Sequence, residues 1–483
     1  MGWDEHTSYN RIHQYATSQR SKPIRISPLK KQLDLGVVLS EFHCRRIYGA
    51  HVYASLPAFA QLVSQMDGTA GSNDMQQLIQ AIHLSQSEIF RIVEQVFQAC
   101  QVHFQGPKLH AVVYQPFGRQ ADIAARAVLL ELVLGEFVQR VFHEVFPGYR
   151  SITLASGTDL GKTIATRNGR KRNRELLFLG SAANYAAKIV DTHDPFPRLA
   201  QELYQVLPKP LQALCEPVKT KASLRIQVYH LFPPNRRALQ DLLDRYEIPW
   251  KPEESRAILA RAKRDCPLAG IQYGLARRRI DVPNLSISNN RRVLAASLFA
   301  DLSGYTHFIE DAEQTHIQET ALRLLHVIRR EMSNVVQEDH AGLHIQFQGD
   351  RIQGLFHLPR NDERAIARGA VSAAIGLQSS MERTLKACLP EAKPLHLAIG
   401  VAIGETLVSR LGVRRHRDAI CLGQAVECAA ELEEACSAGQ IGIARRVYEA
   451  LPAEMRRCFR AQRNGQRFVA TAATVVPQKP ARS

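Results

Sequence analysis

The sequence is poor in several features that would place it at once. No apolar run in its 483 residues reaches the roughly 18 that a membrane-spanning helix needs, so no span is expected. The opening stretch MGWDEHTSYNRIHQYATSQRSK is polar and lacks the apolar core of a signal peptide. Thr7 stands one place beyond the position where N-myristoylation requires Ser or Thr. The nine cysteines are scattered and none forms C-x-x-C, which argues against a disulfide framework and a zinc site. Cys100 and Cys428 read as parts of apolar helical patterns. A reducing, cytoplasmic setting is expected. Aromatic residues are few and are not interleaved with the basic clusters at 20–31, 167–174 and 276–279. No helix-turn-helix, zinc or base-stacking motif accompanies them. The net charge of +16 therefore reads as a basic surface suited to an anionic small ligand, and no nucleic-acid partner is expected.

What the sequence does have is a repeat. Residues 154–184, LASGTDLGKTIATRNGRKRNRELLFLGSAAN, align without a gap on residues 397–427, LAIGVAIGETLVSRLGVRRHRDAICLGQAVE, with 12 of 31 positions identical. Upstream, RRIYGAHVYASLPAFAQLV (45–63) matches RRVLAASLFADLSGYTHFI (291–309), and HFQGPKLHAVVYQP (103–116) matches QFQGDRIQGLFHLP (346–359). Repeats on this scale mark repeated structural units. The expected organisation is an N-terminal extension at 1–40, a domain at 41–235, a partly helical linker at 236–287, a second domain at 288–476 and a tail at 477–483.

Periodicity gives each domain its outline. Residues 47–54 and 293–300 are short apolar runs suited to buried strands. Residues 314–337, 120–145 and 362–386 have helical spacing. LHIQFQGDRIQGLFHL alternates and turns at Gly349–Asp350, a hairpin signal. EESRAILARAKRD, in the linker, is helical. Strand, helix, hairpin, helix, strand predicts an α/β sandwich with a mixed sheet in each half.

Asp301 ends the first strand of the second repeat, and Asp350 sits at its hairpin turn. Two carboxylates converging from a strand end and a tight turn can hold two hard cations, Mg²⁺ or Mn²⁺, through oxygen. Such cations lower the pKa of an attacking hydroxyl and neutralise phosphate charge. The backbone amides of Leu302, Ser303, Gly304, Tyr305 and Thr306, leading into a helix, are placed to cradle phosphates. Taken singly, an Asp at a turn or a helix start is a structural feature; the pairing at matched boundaries is what suggests a site.

FADLSGYT, FQGDRIQGLF and AIGVAIGETLVSRLG resemble the class III nucleotide cyclases, the adenylate and guanylate cyclase catalytic domains. The resemblance covers both repeats. It implies two tandem class III cyclase-like α/β sandwich domains with mixed sheets, pairing as a pseudo-heterodimer, within one chain or across a homodimer. In that family one face supplies two metal-binding Asp residues, while the other supplies an Asn, an Arg, a triphosphate Lys and two base readers. By resemblance the second repeat keeps the metal positions Asp301 and Asp350, where the first has Ser55 and Pro107. The first repeat keeps the transition-state positions as Asn184 and Lys188, where the second has Glu427 and Glu431. Lys221 falls on the triphosphate Lys. Lys188 replaces an Arg and loses its bidentate fork.

The base-reading positions fall on His103 and Leu177, which match neither the adenylate nor the guanylate set. A base site must match donors to acceptors. The departure resembles the pyrimidine cyclases of bacterial anti-phage signalling, whose cyclic product activates a separate effector protein. The implied substrate is a pyrimidine nucleoside triphosphate, CTP before UTP. Two other readings stay open: an adenylate cyclase making cyclic AMP, and an inactive nucleotide-binding signalling module.

Overall fold

The two apolar runs near residues 50 and 296 become the central strands of two sheets, His43–Ser55 and Asn290–Ser303. The structure is a computed structural model. It describes residues 2–30, 35, 39–59, 62, 73–106, 108–168, 175–194, 196–219, 226–414, 416–462 and 465–475.

Each sheet has nine strands in the same order. In the second domain the hairpin Leu343–Gln348 and Arg351–Phe356 lies beside Asn290–Ser303, then His396–Leu411, Gln440–Ala444, Arg467–Thr471 and Arg460–Gln462. Most neighbours are antiparallel, but Gln440–Ala444 runs parallel to its partner, so the sheet is mixed. The first domain repeats this order with the hairpin Cys100–Gln105 and Lys108–Val113 beside His43–Ser55. The α/β class, the mixed sheets and the tandem repeat are as the sequence implies.

Two local expectations change. The helical pattern from 314 is broken: one helix ends at Gln314, His316 takes a positive φ of 58°, and the next helix runs Gln318–Asn334. Cys100 opens a strand rather than sitting in a helix; its apolar neighbours are strand residues of the hairpin. All nine cysteines are free thiols, and no helix among the described residues is long and apolar enough to cross a membrane.

The domains interlock head to tail. Ile164, Leu177 and Leu179 of the first domain are buried in the core of the second, while Leu407, Leu411, Ile420 and Leu422 of the second are buried in the core of the first. Each fully buried side chain of this size contributes roughly 1.5–3 kcal/mol, so the two halves share one folded unit. The linker helices Arg236–Arg245 and Pro252–Asp265 pack on the first domain through Leu239, Leu243 and Leu259.

The extension divides between the domains: its strand Arg25–Pro28 joins the first sheet, parallel to His43–Ser55, while its helix packs elsewhere. Its helix Glu5–Arg20, capped by Asp4 accepting from the Thr7 amide, lies on the second domain. Ser8 donates to Glu331 at 2.7 Å, and Arg11 binds both Glu331 and Asp339 at 2.6–2.8 Å.

Candidate active site

The interlock sets the first-domain helix Ser181–Ile189 against the helix that follows Asp301 in the second domain. Asp301 lies on strand Asn290–Ser303 opposite Ala398. Gly304, at φ 89°, turns the chain sharply into the helix Tyr305–Gln314, and a Cβ there would stand 3.0 Å from the Pro394 carbonyl. Asp350 follows Gly349, which holds φ 67° in the hairpin turn. Asp301 and Asp350 are half-buried residues. Burial holds Asp301 above the usual carboxylate range, with the Arg351 guanidinium and the Lys188 ammonium pulling the other way. Burial and then the neighbouring Asp301 push Asp350 well above that range. Two crowded carboxylates whose ionised forms repel are the donor set a hard divalent cation relieves. Among the described residues no group of three or more His, Cys, Asp or Glu forms a metal cluster; Asp301 and Asp350 are a candidate pair for a cation completed by other oxygen ligands.

Lys188 comes from the other domain. It lies with Asn184 on the helix Ser181–Ile189, which seats on strand Ala155–Asn168 at Gly157. A Cβ at Gly157 would approach the Ala186 carbonyl to 2.6 Å, so only glycine permits that depth. Gly400 does the same for the equivalent helix in the second domain, where a Cβ would stand 2.1 Å from the Ala429 carbonyl. The Ser181–Ile189 helix is also tied across the interface. The Ser181 amide donates to Glu313 at 3.1 Å, and the Tyr185 hydroxyl donates to Glu310 at 2.5 Å. Both acids lie on the helix that follows Asp301. Asn184 Nδ2 is buried with no partner, a donor aimed at nothing the chain supplies. An orphaned buried amide, one helical turn from the Lys188 ammonium that acts on Asp301, is a donor a phosphate ester could take up.

The other predicted residues divide. The Leu302 and Tyr305 side chains are buried, Ser303 and Thr306 are half-buried, and Gly304 is exposed, so the segment offers backbone amides rather than side chains. His103 packs edge-on against His110, ring centroids 5.5 Å apart. Burial and the Arg329 guanidinium lower it to about 3, so it is neutral at ordinary pH. Leu177 is 5% exposed and belongs to the interdomain core. It packs there, a role that aliphatic character alone explains. Lys221 lies outside the described residues.

The pseudosymmetric position is degenerate. Ser55 is 3% exposed, with its hydroxyl buried and unpartnered; Pro107 lies outside the described residues. Burial raises Glu427, and the nearby Lys108 opposes that. A carboxylate pair matching Asp301 and Asp350 is absent from the described residues there.

Several cleft residues escaped the sequence reading. His51 Nδ1 and His110 Nε2 stand 3.0 Å apart, and His51 Nε2 lies 3.2 Å from the Thr163 hydroxyl. Tyr53 stacks on His110 at 4.1 Å. Together with His103 they form a buried histidine row leading from the candidate base side into the first sheet. Arg329 of the second domain meets Glu175 of the first at 2.9 Å, and Glu175 also accepts from the Phe347 amide at 3.0 Å. Its pseudosymmetric mate, Asp418, accepts from the Phe104 amide at 2.6 Å. That equivalence was visible in the aligned RELLFLG and RDAICLG, which place an acid at the same point of each repeat.

Residues 290–476 match the adenylate and guanylate cyclase catalytic domain family. The second domain belongs to that family. Its activity class, nucleotide cyclisation, agrees with the cleft just described. Two curated relatives span nearly the whole chain. A uridylate cyclase from a Rhizobium species is 25% identical, over 95% of this chain and 92% of its own. A uridylate cyclase from Pseudomonas aeruginosa is 26% identical, over 86% of this chain and 80% of its own. A crystal structure of a class III adenylyl cyclase-like ATP-binding protein from Pseudomonas aeruginosa superposes with a TM-score of 0.81 over 97% of both chains, at 22% identity. That similarity extends the cyclase fold, tandem arrangement included, to the whole molecule.

Proposed function

We propose that this protein converts UTP to 3′,5′-cyclic UMP and pyrophosphate at a single site shared by its two domains. The observation that carries the reading is the split site. Its support is that Asp301 and Asp350 stand on the second domain, while Lys188, on the first-domain helix that also carries Asn184, is close enough to act on the Asp301 carboxylate. The names of the two full-length relatives turn the base from CTP, which the sequence favoured, to UTP.

In this reading the ribose 3′-oxygen attacks the α-phosphorus, its proton departs, and the bond to the β-phosphate oxygen breaks to release pyrophosphate. Asp301 and Asp350 would hold two Mg²⁺ or Mn²⁺ ions, whose charge would acidify the hydroxyl and neutralise the phosphates. Asn184 offers its free amide N–H to orient the ribose and the reacting phosphate. Lys188 opposes the charge that builds in the transition state. The amides of residues 302–306 and Lys221 take the triphosphate. Glu310 and Glu313 hold the Asn184 helix over the Asp301 loop. The product would serve as a second messenger read by a separate effector in anti-phage defence, as in the cyclases the sequence resembles.

The test is a product assay. Purified protein receives UTP, CTP, ATP and GTP with Mn²⁺, and products are identified by mass spectrometry. Cyclic UMP as the main product, absent from Asp350→Ala, is expected. Cyclic AMP, or cyclic UMP undiminished in the variant, would overturn the reading.

A further inference from the structure

Arg329 is a buried charge with unused donors. It lies on the helix Gln318–Asn334 and is 2% exposed. Its Nη2 donates to Glu175 Oε2 at 2.9 Å, across the domain interface. Its guanidinium lies 4.2 Å over the Phe347 ring. Nε and Nη1 are buried and have no partner. Leaving two donors of a charged group unpaired inside a protein costs free energy, and such groups occur in proteins mainly where something completes them. The position says what that would be. The guanidinium is near enough to His103, the base-side residue of the first domain, to disfavour its protonation, and near enough to Asp350 to feel its charge. The geometry agrees: Phe347, under the guanidinium, lies on the hairpin strand Leu343–Gln348 that leads to Asp350, and Glu175 stands two residues before Leu177 on the strand Glu175–Leu179.

The paired groups have a definite recognition chemistry. A guanidinium offers N–H donors in a fixed fork and never accepts. A carboxylate only accepts, and the Glu175 oxygens have lone pairs beyond those used by Phe347 and Arg329. With the guanidinium facing the 4-position and the carboxylate facing N3, the pair matches the uracil edge, where the O4 carbonyl accepts and N3–H donates. It opposes the cytosine edge, where the 4-amino group would point donor to donor at the guanidinium and N3 would face the carboxylate acceptor to acceptor.

We propose that Arg329 and Glu175, one from each domain, read the O4 and N3–H edge of uracil and set the preference for UTP over CTP. This rests on the uridylate reading above. It gives the domain pairing a second task, because each half contributes one member of the reading pair.

The experiment measures kcat/KM for UTP and for CTP in the wild type, Arg329→Lys, Arg329→Met and Glu175→Gln, with UMP and CMP binding followed by calorimetry in the absence of metal. Hydrogen bonds to charged groups contribute about 1.5–3 kcal/mol, so the UTP-to-CTP ratio is expected to fall roughly 10- to 100-fold in both Arg329 variants. Glu175→Gln is expected to raise CTP relative to UTP, since its carboxamide can donate to cytosine N3. If Arg329→Met fails to fold by circular dichroism, Arg329→Lys, which keeps the charge and loses the fork, and Glu175→Gln carry the test. Equal falls for UTP and CTP in every folded variant would overturn the proposal and leave the cyclase reading standing. A wild type that makes no cyclic UMP, yet binds UMP over CMP with a preference lost in the variants, would sink the cyclase reading and uphold the base contact.

Discussion

The Tyr185–Glu310 bond is the most exposed test of how the two halves hold each other. The hydroxyl of a first-domain residue, one position from Asn184, donates to a second-domain carboxylate at 2.5 Å. Glu310 is 23% exposed, and the exposed His307 lies 3.8 Å from its carboxylate. Hydrogen bonds to charged partners contribute about 1.5–3 kcal/mol, and partial exposure places this one toward the lower bound. Tyr185→Phe removes the donor and keeps the ring; Glu310→Gln removes the charge and keeps the shape. Each single change should lower stability by about 1–2 kcal/mol in urea unfolding, and the double change should cost little more than either alone. The coupling energy should be about 1 kcal/mol, within the range for residues in direct contact. In turnover, each variant should lose kcat rather than gain KM, because the helix it releases carries Asn184 and Lys188 and misplacement of reacting groups falls on the rate. Strict additivity in the double variant, or unchanged kcat in both single variants, would refute the claim that this bond seats the helix.

Two further outcomes follow from buried charge. Glu131 is fully buried, and burial pushes it up to about 8 against the weaker pull of the Thr158 and Ser156 hydroxyls. Its folded value lies above the unfolded one of 4.5. The penalty is therefore absent below about pH 4.5 and grows as pH rises toward 8, where it reaches several kcal/mol at about 1.4 kcal/mol per unit. Glu131→Gln should flatten urea-unfolding stability between pH 5 and 8.5; parallel curves for variant and wild type would contradict this. Arg11→Met removes the partner of Glu331, which is 2% exposed, and of Asp339. It should cost about 2–3 kcal/mol and speed hydrogen exchange across residues 326–339. Unchanged exchange there would mean that the extension is merely appended.

The repeat was legible because its signals are local. Apolar strand runs, the Gly349–Asp350 hairpin and the glycines at 157 and 400 each act within a few residues of their own position. Asp301 and Asp350 could be proposed from their matched places at a strand end and a hairpin turn, and Asn184 and Lys188 from the resemblance to the class III cyclases. Arg329 could not. In LRLLHVIRREMS an arginine on a helical pattern reads as a solvated face, since arginine is almost never buried unless paired. Its pair, Glu175, lies 154 residues upstream, and nothing near either residue announces the other. The resemblance puts Leu177 on the base side, and the structure buries it in the interdomain core, a contact no local pattern announces. The docking of the extension depends on Ser8 meeting Glu331 across 323 residues, beyond the reach of any periodicity.

The central claim is that one site draws its cations from the second domain and its transition-state contacts from the first. Mn²⁺ binding by electron paramagnetic resonance, paired with UTP turnover, tests it in Asp350→Asn and Asn184→Ala. The account predicts that Asp350→Asn loses both Mn²⁺ binding and turnover. It predicts that Asn184→Ala keeps Mn²⁺ binding and KM while kcat falls about 10²–10³-fold, the loss typical of one transition-state donor. Wild-type turnover in Asn184→Ala, or undiminished Mn²⁺ binding in Asp350→Asn, would contradict it.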